Sequence, residues 1–344
     1  MLNEFFKKWG LLSFVIMLAM AIVVGCSTEE VQQENTQDGE VSNEEITNEE
    51  EKSEEEDSNE GLGEQQFPVT VTDDAGRDIT IEEKPETIVS LQPSTTEISF
   101  ALGLGDKIIG VSDFCNYPAE VLDIEKVGAQ DMNVELILTQ LPDLALVQSY
   151  HYQNYPDILN QFVEAGINVV VVGSASSFAD VYQTFELIGS VTGATLQAEE
   201  IITDMQERLA AIKEKAEAVT EKKKVWVEVS PAPDIFTTGK GTFMHEMLES
   251  IQAINAAGEQ EGWVKLTEEE IVQLNPDVII TTYGYYVESP KDGVLGRDGW
   301  AEVSAIKNEL VFDVENDTVV RPGPRLIEGV ETLAEFIYPE IFKQ

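Results

Sequence analysis

An internal repeat constrains the fold of this chain more than any other feature of its sequence. Residues 135–147 read Glu-Leu-Ile-Leu-Thr-Gln-Leu-Pro-Asp-Leu-Ala-Leu-Val, and residues 269–281 read Glu-Glu-Ile-Val-Gln-Leu-Asn-Pro-Asp-Val-Ile-Ile-Thr. In each copy a glutamate begins a short helix, apolar residues follow at helical spacing, and a Pro-Asp pair ends the helix before a buried strand. A repeat of this kind predicts two lobes of related design.

Each predicted lobe carries one acidic residue at a helix start, Glu135 in the first and Glu269 in the second. The helix dipole favours a negative charge at this position in any protein, so a purely structural interpretation is available. The matched placement in both copies favours a role that the two lobes share.

Short apolar strands alternate with helical stretches through most of the chain after residue 66. Their order predicts an α/β fold made of two Rossmann-like lobes with mostly parallel sheets. The predicted strands are 87–91, 108–112, 143–147 and 168–172 in the first lobe and 225–229, 277–281 and 310–314 in the second.

A single long helix is predicted between the lobes. From about Leu196 to Lys222 the chain has no Gly or Pro, and apolar residues recur every three or four positions. At 1.5 Å per residue such a helix is roughly 40 Å long and stiff, so we expect no large closing motion between the lobes. The predicted domains are therefore a first lobe at 67–195, an interlobe helix at 196–223 and a second lobe at 224–344.

The N-terminus has the pattern of a lipoprotein signal peptide, predicted over residues 1–25. Lys7 and Lys8 precede an apolar run from Leu11 to Val24, which closes with Val-Val-Gly before Cys26 and resembles a bacterial lipobox. A membrane-spanning helix needs about 20 apolar residues, and this run is shorter. We expect cleavage before Cys26 and acylation of its thiol, which would tether the chain to the outer face of the cell membrane. An uncleaved signal anchor is the alternative, and it also places the rest of the chain outside the cytoplasm.

Residues 26–66 are acidic and polar, with almost no large apolar side chain. Such a segment cannot bury enough surface to offset the entropy of ordering, so it is predicted to be a disordered spacer. The net charge of −44 disfavours binding to nucleic acid or to anionic lipid headgroups. Once Cys26 is lipidated only Cys115 remains, so no intrachain disulfide is expected. Cys115 is predicted to pack near a strand end, with a reactive thiol as the alternative.

Several motifs together resemble the substrate-binding lipoproteins of iron-siderophore, haem and vitamin B12 ABC importers. The resemblance covers about residues 67–344 and is greatest to the cobalamin-binding branch. The motifs that carry it are residues 87–103, 110–118, 132–135 and 236–243, the segment around Trp300, and residues 321–325. The resemblance implies a monomeric receptor of the class III periplasmic-binding-protein type. Such a receptor captures a bulky metal chelate between its lobes and delivers it to a permease, and it has no cofactor of its own.

The resemblance also assigns roles to individual residues. Glu135 and Glu269 fall where acids of such receptors meet arginines of the two permease subunits, a contact that fixes orientation as well as contributing energy. Aromatic ligand contacts are expected at Phe114, Phe236 and Trp263, with core packing as the alternative for the last two. Polar contacts to the ligand rim are expected at Asp317 and Arg321.

Two positions depart from the cobalamin-binding pattern, since Ala129 and Gln148 stand where that branch places tryptophans. Neighbouring tyrosines could supply replacement rings, namely Tyr150, Tyr152 and Tyr155, and Tyr150 is taken as a ligand contact. A second tyrosine cluster is expected at the mouth of the cleft, namely Tyr283, Tyr285 and Tyr286.

The departures keep haem open as the ligand, because Tyr or His can serve as an axial iron ligand. The candidates for that role are Tyr150, His151 and His245. An anionic ferric siderophore would need cationic walls, for which the candidates are Arg297, Arg321 and Lys240. The order of preference is corrinoid, then haem, then siderophore.

No enzyme activity is expected. The sequence has no His-Glu-x-x-His pattern, no Gly-x-Ser-x-Gly elbow and no Walker loop, so a chelatase-like or metal-dependent hydrolase has no evident catalytic site. A surface adhesion module would fit the anchor and spacer but not the paired acids. Arg325 begins a helix, where a cation is unfavourable, so a structural acceptor is expected near it.

Overall fold

The computed structural model describes residues 65–343. The predicted signal peptide, Cys26 and the predicted spacer up to residue 64 lie outside the described residues. Within residues 65–343 no helix is both long and apolar enough to cross a membrane.

The first lobe begins with an antiparallel hairpin, β1 (Val69–Thr72) and β2 (Asp78–Ile81), that the sequence analysis did not predict. Its main sheet is parallel and has the strand order β4-β3-β5-β6. These strands are β3 (Ile88–Ser90), β4 (Ile108–Val111), β5 (Leu144–Gln148) and β6 (Asn168–Val172). The helices are α1 (Pro93–Ala101), α2 (Val134–Gln140), α3 (Ser149–Asn154), α4 (Pro156–Glu164) and α5 (Phe178–Thr192).

The second lobe follows helix α6 (Thr195–Ala216) and also contains a four-stranded parallel sheet. Its strands are β7 (Lys224–Glu228), β8 (Phe236–Thr238), β9 (Ile254–Asn255), β10 (Trp263–Lys265), β11 (Val278–Thr281) and β12 (Val311–Asp313). The main sheet has the order β9-β7-β11-β12, while β8 and β10 form a separate antiparallel ribbon. The helices are α7 (Phe243–Ser250), α8 (Glu268–Leu274), α9 (Pro290–Leu295), α10 (Ser304–Lys307), α11 (Asn316–Val320), α12 (Leu326–Ile337) and α13 (Pro339–Phe342).

The two main sheets have the same topology, which confirms the prediction of two related α/β lobes. Counted along the chain within each main sheet, the first strand is central, the second lies on one side of it, and the third and fourth lie on the other. The repeat occupies equivalent places, since α2 precedes β5 and α8 precedes β11. Each helix ends in a left-handed residue, Leu141 with φ 46° and Asn275 with φ 47°.

The Pro-Asp pairs of the repeat tie each helix end to the neighbouring strand. The Asp143 carboxylate accepts hydrogen bonds from the backbone N–H groups of Glu86 and Thr87, each at 2.9 Å, just before β3. The Asp277 carboxylate accepts from the N–H of Lys224 at 2.9 Å, at the start of β7. The hydrogen bonds from backbone N–H groups and the Thr87 hydroxyl outweigh the effect of burial and lower the pKa of Asp143.

Helix α6 joins the lobes as predicted, but its predicted end near Lys222 was wrong. Its 22 residues span about 33 Å and bury an apolar stripe. The helix ends at Ala216, after which Ala218 N–H donates to the carbonyl of Lys215 in a tightened final turn. Beyond Ala216 only Val219 continues the stripe, and a helix without an apolar face to bury has little tertiary support.

The predicted spacer extended slightly too far into the folded chain. The Gln65 amide donates to the carbonyl of Ser190 at 2.7 Å and accepts from the Thr195 hydroxyl, so it joins the end of α5 to the start of α6. The polar composition of the segment gave no sign of these contacts.

The hydrophobic core includes Cys115, which is 3% exposed. Its sulfur lies 3.2 Å from the Thr96 hydroxyl, and burial raises the pKa of the thiol. The packing role predicted for Cys115 is confirmed.

Candidate functional site

Exposed aromatic side chains gather at the carboxyl ends of the parallel strands in both lobes. In open α/β sheets this edge is where ligands bind. In the first lobe the aromatic residues follow β4 and β5, and in the second lobe two lie on the ribbon of β8 and β10 and two follow β11. The set comprises Phe114, Tyr117, Tyr150, Phe236, Trp263, Tyr285 and Tyr286. Large exposed aromatic side chains grouped at one edge indicate a binding site rather than an ordinary solvated surface.

The ribbon of β8 and β10 presents two of these aromatic residues on one face. Phe236 pairs with Lys265, and Trp263 lies two residues before Lys265, so Phe236 and Trp263 are diagonal neighbours. The ribbon is attached at the end of β7, where Val229 N–H donates to the Phe236 carbonyl at 2.9 Å. Phe236 is 40% exposed and Trp263 59%, so the core-packing alternative for both was wrong.

The predicted contacts Phe114 and Tyr150 also lie on the surface, at 67% and 37% exposure. Tyr150 makes edge contacts with the rings of His151, at 5.9 Å between centroids, and of Tyr155, at 6.0 Å. At one of the two positions that depart from the cobalamin-binding pattern, the Gln148 amide donates to the Leu91 carbonyl at 2.6 Å. Gln148 therefore supports the end of β5 instead of offering a ring.

A network of charged and polar side chains joins the lobes at the same edge. We call it the interlobe array, and it consists of Glu97, Asn116, Glu315, Asp317, Arg321 and Arg325. Arg321 donates to Glu97 at 2.5 Å and to the Asn116 oxygen at 2.8 Å, and it pairs with Asp317 at 2.8 Å. Asn116 in turn donates to Asp317 at 3.1 Å. Both predicted polar contacts, Asp317 and Arg321, thus belong to one array with residues of the first lobe.

Arg325 has the structural acceptors that were predicted for it. It donates to both carboxylate oxygens of Glu97 at 2.9 Å and to Glu315 at 2.9 Å, and its guanidinium lies 4.0 Å from the centre of the Tyr117 ring. Burial acts to lower the pKa of Arg325, but the hydrogen bonds and charges of Glu97 and Glu315 outweigh it and raise the pKa.

Glu97 itself was not predicted as a functional residue, although it lies inside a motif that carried the resemblance. It is 2% exposed on α1. The sequence did contain a sign that Glu97 is unusual. It is the one charged residue of α1, whose other residues are apolar or small and therefore of types that are often buried.

Arg297 is not a cation of the cleft wall, so that candidate role was wrong. Its side chain is 10% exposed and makes a bidentate ion pair with Glu228 at the end of β7. The Tyr283 hydroxyl donates to the same carboxylate at 2.6 Å, and burial together with the Glu228 charge raises the pKa of Tyr283. Tyr283 is 2% exposed and does not line the mouth of the cleft as predicted, whereas Tyr285 and Tyr286 are exposed.

His151 is fully buried, and both of its ring nitrogens have backbone partners. Nδ1 accepts from the Gln148 N–H at 3.3 Å, and Nε2 lies 2.9 Å from the Ala129 carbonyl. Burial lowers the pKa of the imidazole, which favours the neutral form with Nε2–H donating. A haem iron could bind His151 only by breaking one of these bonds.

His245 and Lys240 line a depression together with Lys222 and Ile254, which stand just before or at the start of β7 and β9. Lys240 is exposed and also continues the aromatic ribbon, because its carbonyl accepts from the Gly262 N–H at 2.8 Å beside Trp263. The role of Lys240 as a cation of the cleft wall stays a prediction. Within the part of the chain that the structure describes, no three His, Cys, Asp or Glu side chains are grouped to hold a metal ion.

The two predicted docking acids occupy the same position in their helices. Glu135 is the second residue of α2 and Glu269 the second residue of α8, and both are exposed. Glu268 accepts from the Trp300 indole at 3.0 Å, and Glu270 caps its own helix through the Thr267 N–H at 2.8 Å. Among residues 65–343 neither Glu135 nor Glu269 has a side-chain partner, so both carboxylates are available to another molecule.

Comparisons with known proteins agree with this architecture. A family model described as periplasmic binding protein matches residues 88–318. The chain is 49% identical over 280 residues to the uncharacterized ABC transporter substrate-binding lipoprotein YvrC of Bacillus subtilis (strain 168), covering 81% of this chain and 88% of that protein. It is 26% identical over 254 residues to a vitamin B12-binding protein of Vibrio cholerae serotype O1, covering 73% of this chain and 89% of that protein.

A solved structure has the same fold. It is described as a possible iron-binding (periplasmic solute-binding) protein from Staphylococcus epidermidis ATCC 12228, with a TM-score of 0.67 and 35% identity over 74% of this chain and 100% of that one. The family and these relatives are solute-binding proteins, not enzymes. The family match spans more than half of the chain and falls on both lobes. This chain therefore belongs to the periplasmic binding protein family.

Proposed function

We propose that this protein is the extracytoplasmic substrate-binding lipoprotein of an ABC importer and that it captures a corrinoid between its two lobes. The observation that carries the proposal is the set of exposed aromatic side chains at the carboxyl ends of both sheets. The vitamin B12-binding relative and the YvrC lipoprotein support the ligand and the transport role respectively. Acylation of Cys26 would hold the protein, as a monomer, on the outer face of the cell membrane.

A corrinoid suits the chemistry of this edge. The ligand is a wide, flat macrocycle with amide arms, so its faces call for aromatic and apolar contacts and its rim for a few polar groups. Phe114, Phe236 and Trp263 would supply the aromatic contacts to the macrocycle faces. Asn116 and Asp317 would supply the polar contacts to its rim, since an amide or a carboxylate group can form a hydrogen bond with an amide arm.

Haem is the second candidate, because Tyr150 and Tyr285 are exposed phenols at the same edge and a tyrosine can ligate haem iron. An anionic ferric siderophore is the third. The cations it would need are engaged elsewhere, since Arg297 is paired with Glu228 and Arg321 with Glu97.

Calorimetric titration of the full chain in detergent with cyanocobalamin and with haemin tests the ligand. We expect cyanocobalamin to bind with a Kd of about 1 µM or lower. Phe236→Ala and Trp263→Ala should each weaken binding roughly tenfold, because an aromatic face in contact with the ring is lost. Ile254→Ala is the matched control, since Ile254 is 45% exposed but lines the depression that contains His245. Saturable haemin binding with a shifted Soret band, and no heat from cyanocobalamin, would reverse the order of the ligands.

Docking on the permease would use Glu135 and Glu269. Both helices run back along the parallel strands that follow them, so their first turns point toward the edge where the ligand is held. Exposed carboxylates there can pair with arginines of the two permease subunits, which fixes the orientation of the receptor and speeds the encounter.

Charge reversal tests the docking role. The double variant Glu135→Lys/Glu269→Lys should abolish stimulation of the permease ATPase while leaving ligand affinity unchanged. The control is Glu164→Lys/Glu207→Lys, which makes the same charge change at exposed positions on α4 and α6. Undiminished stimulation by the first double variant would exclude this docking mode.

A further inference from the structure

Glu97 is a deeply buried carboxylate that links the two lobes at the ligand edge. It lies in the first lobe and accepts three hydrogen bonds from two arginines of the second lobe, from Arg321 at 2.5 Å and from Arg325 at 2.9 Å twice. A carboxylate at 2% exposure is costly to bury unless it is paired. Arg321 and Arg325 compensate the buried charge of Glu97, and the Glu97 carboxylate in turn compensates the charges of both guanidinium groups.

The interlobe array carries a net negative charge. Its carboxylates are Glu97, Glu315 and Asp317, and only the guanidiniums of Arg321 and Arg325 oppose them. These two arginine side chains are 13% and 9% exposed, so neither offers a free cation to a ligand.

Two other cations near this edge also have carboxylate partners. Arg297 is held by the buried Glu228, whereas Lys265 on the aromatic ribbon pairs with Asp234 at the surface, where the two side chains are 49% and 68% exposed. At the array an anionic ligand would therefore meet amide groups and an excess of carboxylate, and it would have to displace an internal partner to reach the guanidinium of Arg321 or Arg325.

We propose that Glu97 sets the charge selectivity of the cleft, so that the cleft takes neutral or cationic chelates and rejects anionic ones. This inference rests on the proposed function and specifies the class of substrate that the same site accepts. Like charges brought together in a partly desolvated site repel strongly, so a single carboxylate on the ligand rim weakens binding. Glu97 acts by neutralising Arg321 and Arg325, and without its charge both guanidiniums attract anions.

A matched pair of ligands isolates the effect of charge. Cyanocobalamin and the derivatives in which one side-chain amide has been hydrolysed to a carboxylate have the same shape and differ by one charge. We expect the unmodified protein to bind the most strongly discriminated carboxylate isomer roughly tenfold more weakly than cyanocobalamin. The ratio of the two Kd values should shrink as salt is raised, because salt screens the repulsion.

The variant Glu97→Gln should bring that ratio close to one, chiefly by strengthening binding of the carboxylate derivative. Glu331→Gln is the matched control, since Glu331 pairs with Arg208 between α12 and α6 and its loss makes the same charge change far from the edge. A ratio unchanged by Glu97→Gln, or equal binding of all isomers by the unmodified protein, would overturn the inference.

Two further measurements test the inference even if Glu97→Gln fails to fold. Glu315→Gln removes a carboxylate that is 65% exposed and contacts only Arg325, and it should lower the ratio part of the way. The salt dependence of the ratio needs no variant at all, and a ratio insensitive to salt and to Glu315→Gln would refute the inference. If the unmodified protein binds no corrinoid, the proposed ligand is wrong; if it binds them all equally well, only the role of Glu97 is wrong.

Discussion

At the scale of single residues, two buried carboxylates, Glu97 and Glu228, hold arginines of the second lobe. Glu228 has partners within that lobe, so its role is structural. It is fully buried and holds Arg297, the Tyr283 hydroxyl and the Trp226 indole. Leu91 stands at the equivalent position of the first lobe. Glu228 pairs with Thr281, and Leu91 directly follows Ser90, whose partner Leu146 corresponds in the repeat to Ile280, the residue before Thr281. An apolar residue is thus compatible with the backbone at this place.

Glu228→Leu should nevertheless destabilise the protein by about 3–5 kcal/mol, because it leaves the Arg297 guanidinium buried without a partner. Urea denaturation followed by circular dichroism measures this. Glu302→Gln is the control, since it breaks the exposed Glu302–Lys307 pair and should not move the transition. Equal effects of the two variants would show that the buried pair contributes nothing special.

His151 gives the folded protein a dependence on mildly acidic pH. Burial holds its pKa below the ordinary value of 6.5 in the folded state. Above that value both states are neutral and stability is unaffected. As the pH falls below it, the unfolded chain binds a proton that the folded protein does not, so stability is lost until the folded pKa is reached.

The expected loss is up to about 1.4 kcal/mol for each pH unit in this window. The measurement is the free energy of unfolding of His151→Gln and of the unmodified protein between about pH 7.5 and about pH 5.5. The carboxylates titrate in both proteins, so their contribution cancels in the difference. The variant should lose less stability over this range. An identical pH dependence of the two proteins would show that His151 titrates normally in the folded state.

The exposed aromatic residues could be found from the sequence, but the paired charges could not. Phe114 and Phe236 stand in recognisable motifs that follow predicted strands, and the resemblance assigned Trp263. The partner of Glu97 is Arg321, and that of Glu228 is Arg297, each far along the chain. Sequence alone does not say which cation is neutralised, which is why Arg297 was assigned to the cleft wall.

At the scale of elements, the repeat makes a prediction about the end of α2. Leu141 adopts a left-handed conformation with φ 46° and is 57% exposed, while its counterpart Asn275 is of a type that favours this conformation. Leu141→Asn should therefore stabilise the protein by roughly 0.5–1 kcal/mol, since backbone strain is relieved without loss of core packing.

The same substitution at Leu196, in the first turn of α6 and 38% exposed, provides the control. There the backbone is helical and Asn has the lower helix propensity, so Leu196→Asn should be mildly destabilising. Thermal or urea unfolding measures both. If Leu141→Asn destabilises the protein as much as Leu196→Asn, the strain at Leu141 is not significant.

The main strands could be located from the sequence because each is a short, fully buried apolar run; β6 has the predicted ends, 168 and 172. The hairpin of β1 and β2 and the ribbon of β8 and β10 were missed, since each of their strands is partly exposed and is not a continuous apolar run. Such pairs are stabilised by what they pack against, which a local pattern does not contain.

At the scale of the whole molecule, the lobes are joined in more than one place. Helix α6 packs into the core that extends through both lobes, the interlobe array joins α1 to the segment around α11, and Phe178 N–H donates to the Glu246 carboxylate across the boundary at 2.9 Å. Closure by a large rotation would break contacts that include buried charge. We therefore expect the ligand to enter a cleft that is already formed.

The crystal structure of the protein grown with cyanocobalamin tests the central claim most directly. We predict the macrocycle between the two lobes, with aromatic contacts from Phe114, Phe236 and Trp263, with Arg321 still bound to Glu97, and with the lobes in the arrangement described here. A corrinoid bound elsewhere, or lobes rotated so that the pairing of Glu97 with Arg321 and Arg325 is broken, would contradict the account.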